Sequence, residues 1–247
     1  MLKQRMHQLM WKSDKHWVVP ACGSESASVG SFLVQSWTSV YGIINSDIVK
    51  GFKLQDKAYK DRELSMDFFK NISITGRLCY LFMCIEKYLV SLYPDRDWTI
   101  VAERLWIWTE KYWDEAQEES DQIIPVYLME FDTYEETNSR CFDGKLSREL
   151  YEKLIRLYDG ITDGKSDDEI NQVLFTMVEW GTVCEGAGFS AADEPTLNYL
   201  SWIESVLKKH SIELPNKELV SDMTKDQKNG WGDFCNCRYL SIILNKR

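Results

Sequence analysis

Residues 72–93 read ISITGRLCYLFMCIEKYLVSLY, and this stretch decides the fold class. Its apolar residues Leu78, Leu81, Phe82, Ile85, Leu89 and Leu92 recur at offsets of three and four. That is the period of one face of an α-helix, not the alternation of a strand. Pro94 and Asp95 stop it, because proline cannot continue the backbone hydrogen-bond ladder. The same period returns downstream. Asp97 is placed to cap a helix that carries Trp98, Val101, Leu105, Trp108 and Tyr112 on one stripe.

Pro125 suits the first turn of a further helix, for which PVYLMEFDTY supplies the body. Gly144 ends that unit. Ser147 caps the next helix, with Leu150, Tyr151, Leu154, Ile155 and Tyr158 along it and Gly160 at its end. Ser166 and Glu169 have the spacing of a capping box ahead of Ile170, Val173, Leu174, Met177 and Val178. Gly186 and Gly188 are expected to close that helix in a left-handed turn. A last helix is expected from about Asp193, with Pro195 in its first turn, Leu197, Leu200, Ile203 and Leu207 inward, and Lys208, Lys209 and His210 at the negative end of its dipole. The expectation is an all-α, single-domain antiparallel multi-helix bundle over 1–247, with a short strand or hairpin possible near one terminus. Two stretches read ambiguously as helix or strand: VGSFLVQSWTSVYGII at 29–44 and RYLSIIL at 238–244.

Composition bounds the function. Twenty-nine Lys and Arg stand against 39 Asp and Glu, a net charge of −10, which argues against a nucleic-acid binder because phosphate contacts need a basic surface. No run approaches 18 apolar residues, so no membrane span is expected. The N-terminal MLKQRMHQLMWKSDKHW lacks the apolar core of a secretory signal. Of seven cysteines, Cys79 and Cys84 sit inside a helical pattern as small hydrophobes, and a reducing, cytoplasmic location follows as an expectation. Cys235 and Cys237 form the one close pair, and no second pair or neighbouring His completes a tetrahedral ligand set, so they are read as incidental thiols. No cofactor or metal is assigned.

Catalytic motifs are missing as well. The chain has no H-E-x-x-H, no Glu-x-x-His, no G-x-S-x-G and no phosphate-binding G-x-x-x-x-G-K loop. Asp163, Asp167 and Asp168 cluster, but a helix start accounts for the last two. No catalytic residue is assigned. Ten tryptophans is a high number, and Trp98, Trp106, Trp108 and Trp113 fall within sixteen residues. Trp106 and Trp113 leave the core stripe, so each is read as packing against a neighbouring helix or as an exposed anchor.

Charge placement is the strongest functional signal. Residues 110–194 carry a net −15 and the rest of the chain +5. Between Lys111 and Arg140 lie 28 residues without a cation and with nine carboxylates: Asp114, Glu115, Glu118, Glu119, Asp121, Glu130, Asp132, Glu135 and Glu136. Asp114/Glu118 and Glu115/Glu119 repel at the i,i+4 spacing, where stability would favour opposite charges. Solubility explains part of this. A basic protein partner explains the rest, with Tyr134 among the carboxylates as an aromatic anchor and Tyr127 and Phe131 beside it.

The segments CIEKYLVSLYPDRDW (84–98), LWIWTEKYWDEA (105–116), PVYLMEFDTYEE (125–136) and GWGDFCNCRYLSIIL (230–244) resemble an all-helical family of immunity proteins from bacterial polymorphic and contact-dependent toxin systems. The resemblance spans residues 65–245 and rests on pattern and overall character. It implies a helical fold and stoichiometric binding of a cognate protein toxin, with occlusion of the toxin's active site. It transfers no site residues, so the expected partner-binding set is the acidic run and Tyr134. Two alternatives stay open: a helical hydrolase or transferase using acidic or metal-binding residues, and a cytoplasmic regulatory adaptor.

Overall fold

Helix α1, Ile74–Leu92, is buried on nearly every side and is the element around which the rest packs. It belongs to a computed structural model that describes residues 66–111, 113–184 and 188–245, and their side chains except at 113–115. Ser73 caps α1 by accepting from the Gly76 backbone N–H at 3.2 Å. Phe82, Leu81, Ile85 and Leu89 are fully buried. Removing each such side chain from water contributes on the order of 2 kcal/mol before entropy is counted. The described residues are all-α. Their one β-type contact is an isolated bridge between Ile72 and Thr224.

The order continues with α2 (Thr99–Trp106), α3 (Trp113–Asp121), α4 (Pro125–Leu128), α5 (Tyr134–Cys141), α6 (Arg148–Tyr158), α7 (Glu169–Cys184) and α8 (Phe189–Lys209). Helix α8 lies along α1, α7 packs on α8, and α3 leans on α7. The chain divides between Glu63 and Leu64, and the described residues all lie in the second unit. The stretch 29–44 and the expectations for residues 1–60 fall outside the described residues. No described helix is long and apolar enough to cross a membrane.

Several boundaries differ from the sequence reading, each for a local reason. Asp97 accepts from the Thr99 N–H at 3.1 Å, but the cap position of α2 is Trp98 and no side chain caps it, which corrects the reading of Asp97 as the cap. The helix is also short, turning at Ile107–Thr109 into a 3-10 turn where the Thr109 hydroxyl bonds the Trp106 carbonyl at 2.8 Å. PVYLMEFDTY is not one helix. It stops at Leu128, and Thr133 starts α5 by accepting from the Glu136 N–H at 3.3 Å. Pro125 and Ser147 hold the helix-start positions expected of them. Gly144 and Gly160 take the positive φ that makes glycine the favoured residue there.

The capping box at Ser166 does not form. Helix α7 begins at Glu169, whose carboxylate turns instead to Tyr88, Lys209 and His210. Gly186 lies outside the described residues, and Gly188 is extended at φ −74° and precedes α8, so Gly188 is a helix start and not the end of α7. Helix α8 begins four residues before Asp193, with Pro195 inside it. Proline removes an N–H and crowds the preceding turn. The buried Arg77 and the Thr196 hydroxyl both donate to the Asp193 carbonyl in that turn, at 2.9 and 3.0 Å. Trp106 is fully buried and donates its indole N–H to Glu86 at 2.8 Å, so it is core. The Trp113 side chain lies outside the described residues.

The tail at 238–244 is neither strand nor α-helix. A 3-10 turn, Cys237–Leu240, leads into residues held by Glu86. Cys235 and Cys237 are joined as a disulfide with Cα atoms 5.3 Å apart, which corrects their reading as incidental thiols. Cys79, Cys84, Cys141 and Cys184 are buried thiols outside any disulfide. Burial pushes the Cys79 thiol up to about 12.

Candidate functional site

The acidic run folds into α3, the short α4 and α5, and much of its charge meets cations from just outside the run. Glu118 on α3 pairs with Lys145 in the turn before α6. Glu119, its neighbour, takes Lys111 at 2.6 Å. On α5, Glu135 pairs with Arg148 and Glu136 with Arg140 at 3.2 Å. Lys145 and Arg148 are three residues apart, so the carboxylates of α3 and α5 converge on one turn of chain.

The remaining predicted residues are placed differently. Asp132 is exposed. Glu130, also exposed, accepts from the Cys141 thiol at 3.5 Å. Asp121 closes α3, and its carbonyl accepts from the Ile124 N–H at 3.2 Å. Asp114 and Glu115 lie in the first turn of α3, and their side chains fall outside the described residues. Tyr134 holds the surface together from inside. Its hydroxyl donates to the Leu146 carbonyl at 2.7 Å and accepts from the Asn138 amide at 3.1 Å. The Arg148 guanidinium lies 4.3 Å from the centre of its ring. Tyr127 packs edge-on to Phe175, and Arg140 covers Phe131 at 5.1 Å.

Sequence reasoning therefore found the carboxylates and missed the cations. Lys111 and Arg140 were visible as the borders of the run. Lys145 and Arg148 were not, because their pairing across 27 and 13 residues depends on how α3, α5 and α6 meet. The ion pairs stay wet: the Glu118 and Glu135 side chains are 59% and 69% exposed. Glu135, in the first turn of α5, is held below the usual carboxylate range by its own backbone N–H and by Arg148.

Other ionic groups have structural work. Asp163 pairs with Lys165 at 2.9 Å, and Asp168 accepts from the Thr162 hydroxyl. Glu204, almost fully buried, accepts from the Tyr80 hydroxyl at 3.1 Å and from Lys208 at 3.3 Å. Asp95 and Asp97 share a shallow depression with Arg96, Lys153 and Arg156, where Arg96 donates to the Asp159 carbonyl at 2.7 Å. What the α3–α5 surface offers chemically is exposed negative charge, four of its carboxylates being held in solvent-accessible ion pairs. No family model, curated protein sequence or solved structure matches this chain.

Proposed function

We propose that the chain is a cytoplasmic binding protein that neutralises a basic protein toxin by occlusion, using the α3–α5 surface. One observation carries the reading: Glu118 of α3 and Glu135 of α5 pair with Lys145 and Arg148 of one turn, flanked by the Glu119–Lys111 and Glu136–Arg140 pairs, and all four contacts are solvent-accessible. Exposed pairs of this kind contribute little to stability, because water and salt screen them and both side chains lose rotamer freedom. A partner presenting Lys or Arg in a desolvated interface can therefore displace the internal cations at small cost, and close charge pairs across protein interfaces couple by several kcal/mol in favourable cases. The resemblance to immunity proteins supplies the biological setting, in which the occluded site is a substrate cleft that otherwise receives phosphate or another anion.

The test is co-expression of this chain with the product of the gene immediately upstream, followed by size-exclusion chromatography. A stable complex whose association slows with added salt is the expected result. Reversing Glu118, Glu119, Glu135 and Glu136 to Lys should reduce the association rate at least tenfold. A complex that tolerates all four reversals would move the interface elsewhere, and a failure to associate would remove the toxin reading.

A further inference from the structure

Helix α1 brings a third sulfur to the Cys235–Cys237 pair. The Sγ atoms of Cys79, Cys235 and Cys237 all lie within 4.8 Å of one another. Cys79 and Cys237 are fully buried and Cys235 is half-buried. The three are positioned by contacts that do not use sulfur. The Cys235 N–H donates to the Thr109 carbonyl at 2.8 Å. Asn236 opens the following turn by accepting from the Arg238 N–H at 3.3 Å. Glu86, two turns along α1 from Cys79, holds the Ser241 hydroxyl and the Ile242 N–H at 2.5 and 2.6 Å. The sulfurs are thus fixed from α1, from the turn after α2 and from the tail at once.

Three thiolates around one ion at a metal–sulfur distance of about 2.3 Å would lie roughly 3.8–4.0 Å from each other. Cys79 is already within 4.8 Å of both partners, and opening the Cys235–Cys237 bond would let those two sulfurs part to that spacing. Among the described residues, the His, Cys, Asp and Glu ligand atoms grouped at this point are all sulfur, and thiolate ligands select thiophilic d10 cations over Mg²⁺ or Ca²⁺. Charge chooses among those. Three thiolates with Zn²⁺ leave a net −1 in a largely buried site, whereas a monovalent ion leaves −2, and buried net charge is costly. Cys235 is half-buried, so solvent can reach the site from its side to supply a water as fourth ligand.

We propose that in the reduced protein Cys79, Cys235 and Cys237 form a Zn²⁺ site, and that the Cys235–Cys237 disulfide is its closed, metal-free state. Opening the site takes two equivalents of a small cellular thiol: the disulfide accepts two electrons and two protons, giving two cysteine thiols, and the small thiol leaves as its own disulfide. Binding then replaces three thiol protons by one Zn²⁺ and releases those protons to solvent. The ion would clip the tail onto α1 beside the Glu86 anchor.

The full chain, reduced with a phosphine and kept anaerobic, is titrated with Zn²⁺ against a chromophoric chelator and with Cd²⁺ in the ultraviolet. One Zn²⁺ per chain is expected, together with a thiolate-to-Cd²⁺ absorbance corresponding to three thiolates. Cys79→Ser and Cys237→Ser should each weaken Zn²⁺ binding at least tenfold, Cys141→Ser should leave it unchanged, and the disulfide form should not bind. The Cd²⁺ count is read on the unaltered chain, so it stands even if a cysteine variant misfolds. An absorbance accounting for two thiolates or fewer, or Zn²⁺ affinity unaltered in a folded Cys79→Ser chain, would overturn the proposal.

Discussion

The backbone N–H of Ile242 donates to the Glu86 carboxylate at 2.6 Å, tying the end of the described chain to the central helix. Glu86 also accepts from Trp106, Ser241 and, at 3.3 Å, the Ile243 N–H. The carboxylate is fully buried. A buried carboxylate is tolerated where donors surround it. Burial raises its pKa above the usual range, and the donors only partly oppose that. Glu86→Ala leaves the Trp106 indole and two tail amides without their acceptor, and a stability loss of about 3 kcal/mol is expected in urea unfolding. Glu86→Gln keeps the volume but turns an NH₂ toward donors, so a smaller loss of about 1–2 kcal/mol is expected. Both variants should expose the bond after Tyr239 to chymotrypsin. A wild-type midpoint in Glu86→Ala would show that the tail anchor adds nothing.

Arg77 makes the corresponding connection between α1 and α8. Its guanidinium is fully buried and donates to the Phe69 carbonyl, the Asp193 carbonyl and the Thr196 hydroxyl, each at 2.9 Å, and to the Asp193 carboxylate at 2.6 Å. Burial lowers its pKa, and Asp193 opposes that shift. Lysine carries a single point charge and cannot reproduce this fork. Arg77→Lys is therefore expected to cost about 3 kcal/mol in chemical denaturation. Asp193→Ala should cost less, about 1–2 kcal/mol, because its carboxylate is 36% exposed and Arg77 retains three acceptors. Equal losses in the two variants would contradict that division.

The acid limb of the stability curve should depend on Glu169. Burial alone would raise this carboxyl, but Lys209 and His210 outweigh it and hold it below the usual range. A carboxylate lowered in the folded state stabilises above its unfolded pKa and loses that contribution as pH falls through the folded value. Glu86 has the opposite sign: its raised pKa makes the folded state the better proton acceptor, so its contribution grows on acidification. Glu169→Gln should thus lower the melting temperature at pH 7 and narrow the gap from wild type below pH 4. A constant gap across that range would remove the linkage assigned to Glu169.

Gly181 on α7 shows how closely the tryptophans of the core are fitted. A Cβ built there would lie 2.6 Å from the Trp108 ring. Trp108 is buried and the ring cannot yield freely, so Gly181→Ala is expected to destabilise by about 1–3 kcal/mol despite alanine's better helix propensity. Gly188, at the start of α8, has nothing within 4 Å of that position. Gly188→Ala should change stability by less than about 1 kcal/mol. Thermal melts of the two variants make the comparison, and a neutral Gly181→Ala would show that α7 and Trp108 can move apart.

The helices were legible where one physical signal acted alone. The 3.6-residue period of 72–93 has no competitor, and α1 appears where it predicts. The reading failed where a distant residue decided a local outcome. Pro195 sits inside α8, in a turn whose Asp193 carbonyl accepts from Arg77, 116 residues before it in sequence. Glu169 leaves the capping box because Lys209 and His210 lie within reach at the end of α8. The site follows the same rule. Its carboxylates are local and countable, whereas their partners Lys145 and Arg148 and the convergence of Cys79 on Cys235 and Cys237 are tertiary facts.

The exchangeable surface is itself measurable without a partner. Glu118 and Lys145 are 59% and 54% exposed, and Glu119 and Lys111 are 35% and 39% exposed. Long side chains at that exposure give up rotamer entropy to meet, and salt screens what they gain. A double-mutant cycle with Glu118→Ala and Lys145→Ala should return a coupling below about 0.5 kcal/mol near physiological ionic strength, rising as salt is removed. The same cycle on Glu119 and Lys111 should couple somewhat more strongly, since both charges are better sheltered, while staying under about 1 kcal/mol. A coupling well above that in either cycle would mean that the internal pairs are held too firmly to be traded for a partner's cations, and the α3–α5 surface would then serve the fold and not recognition.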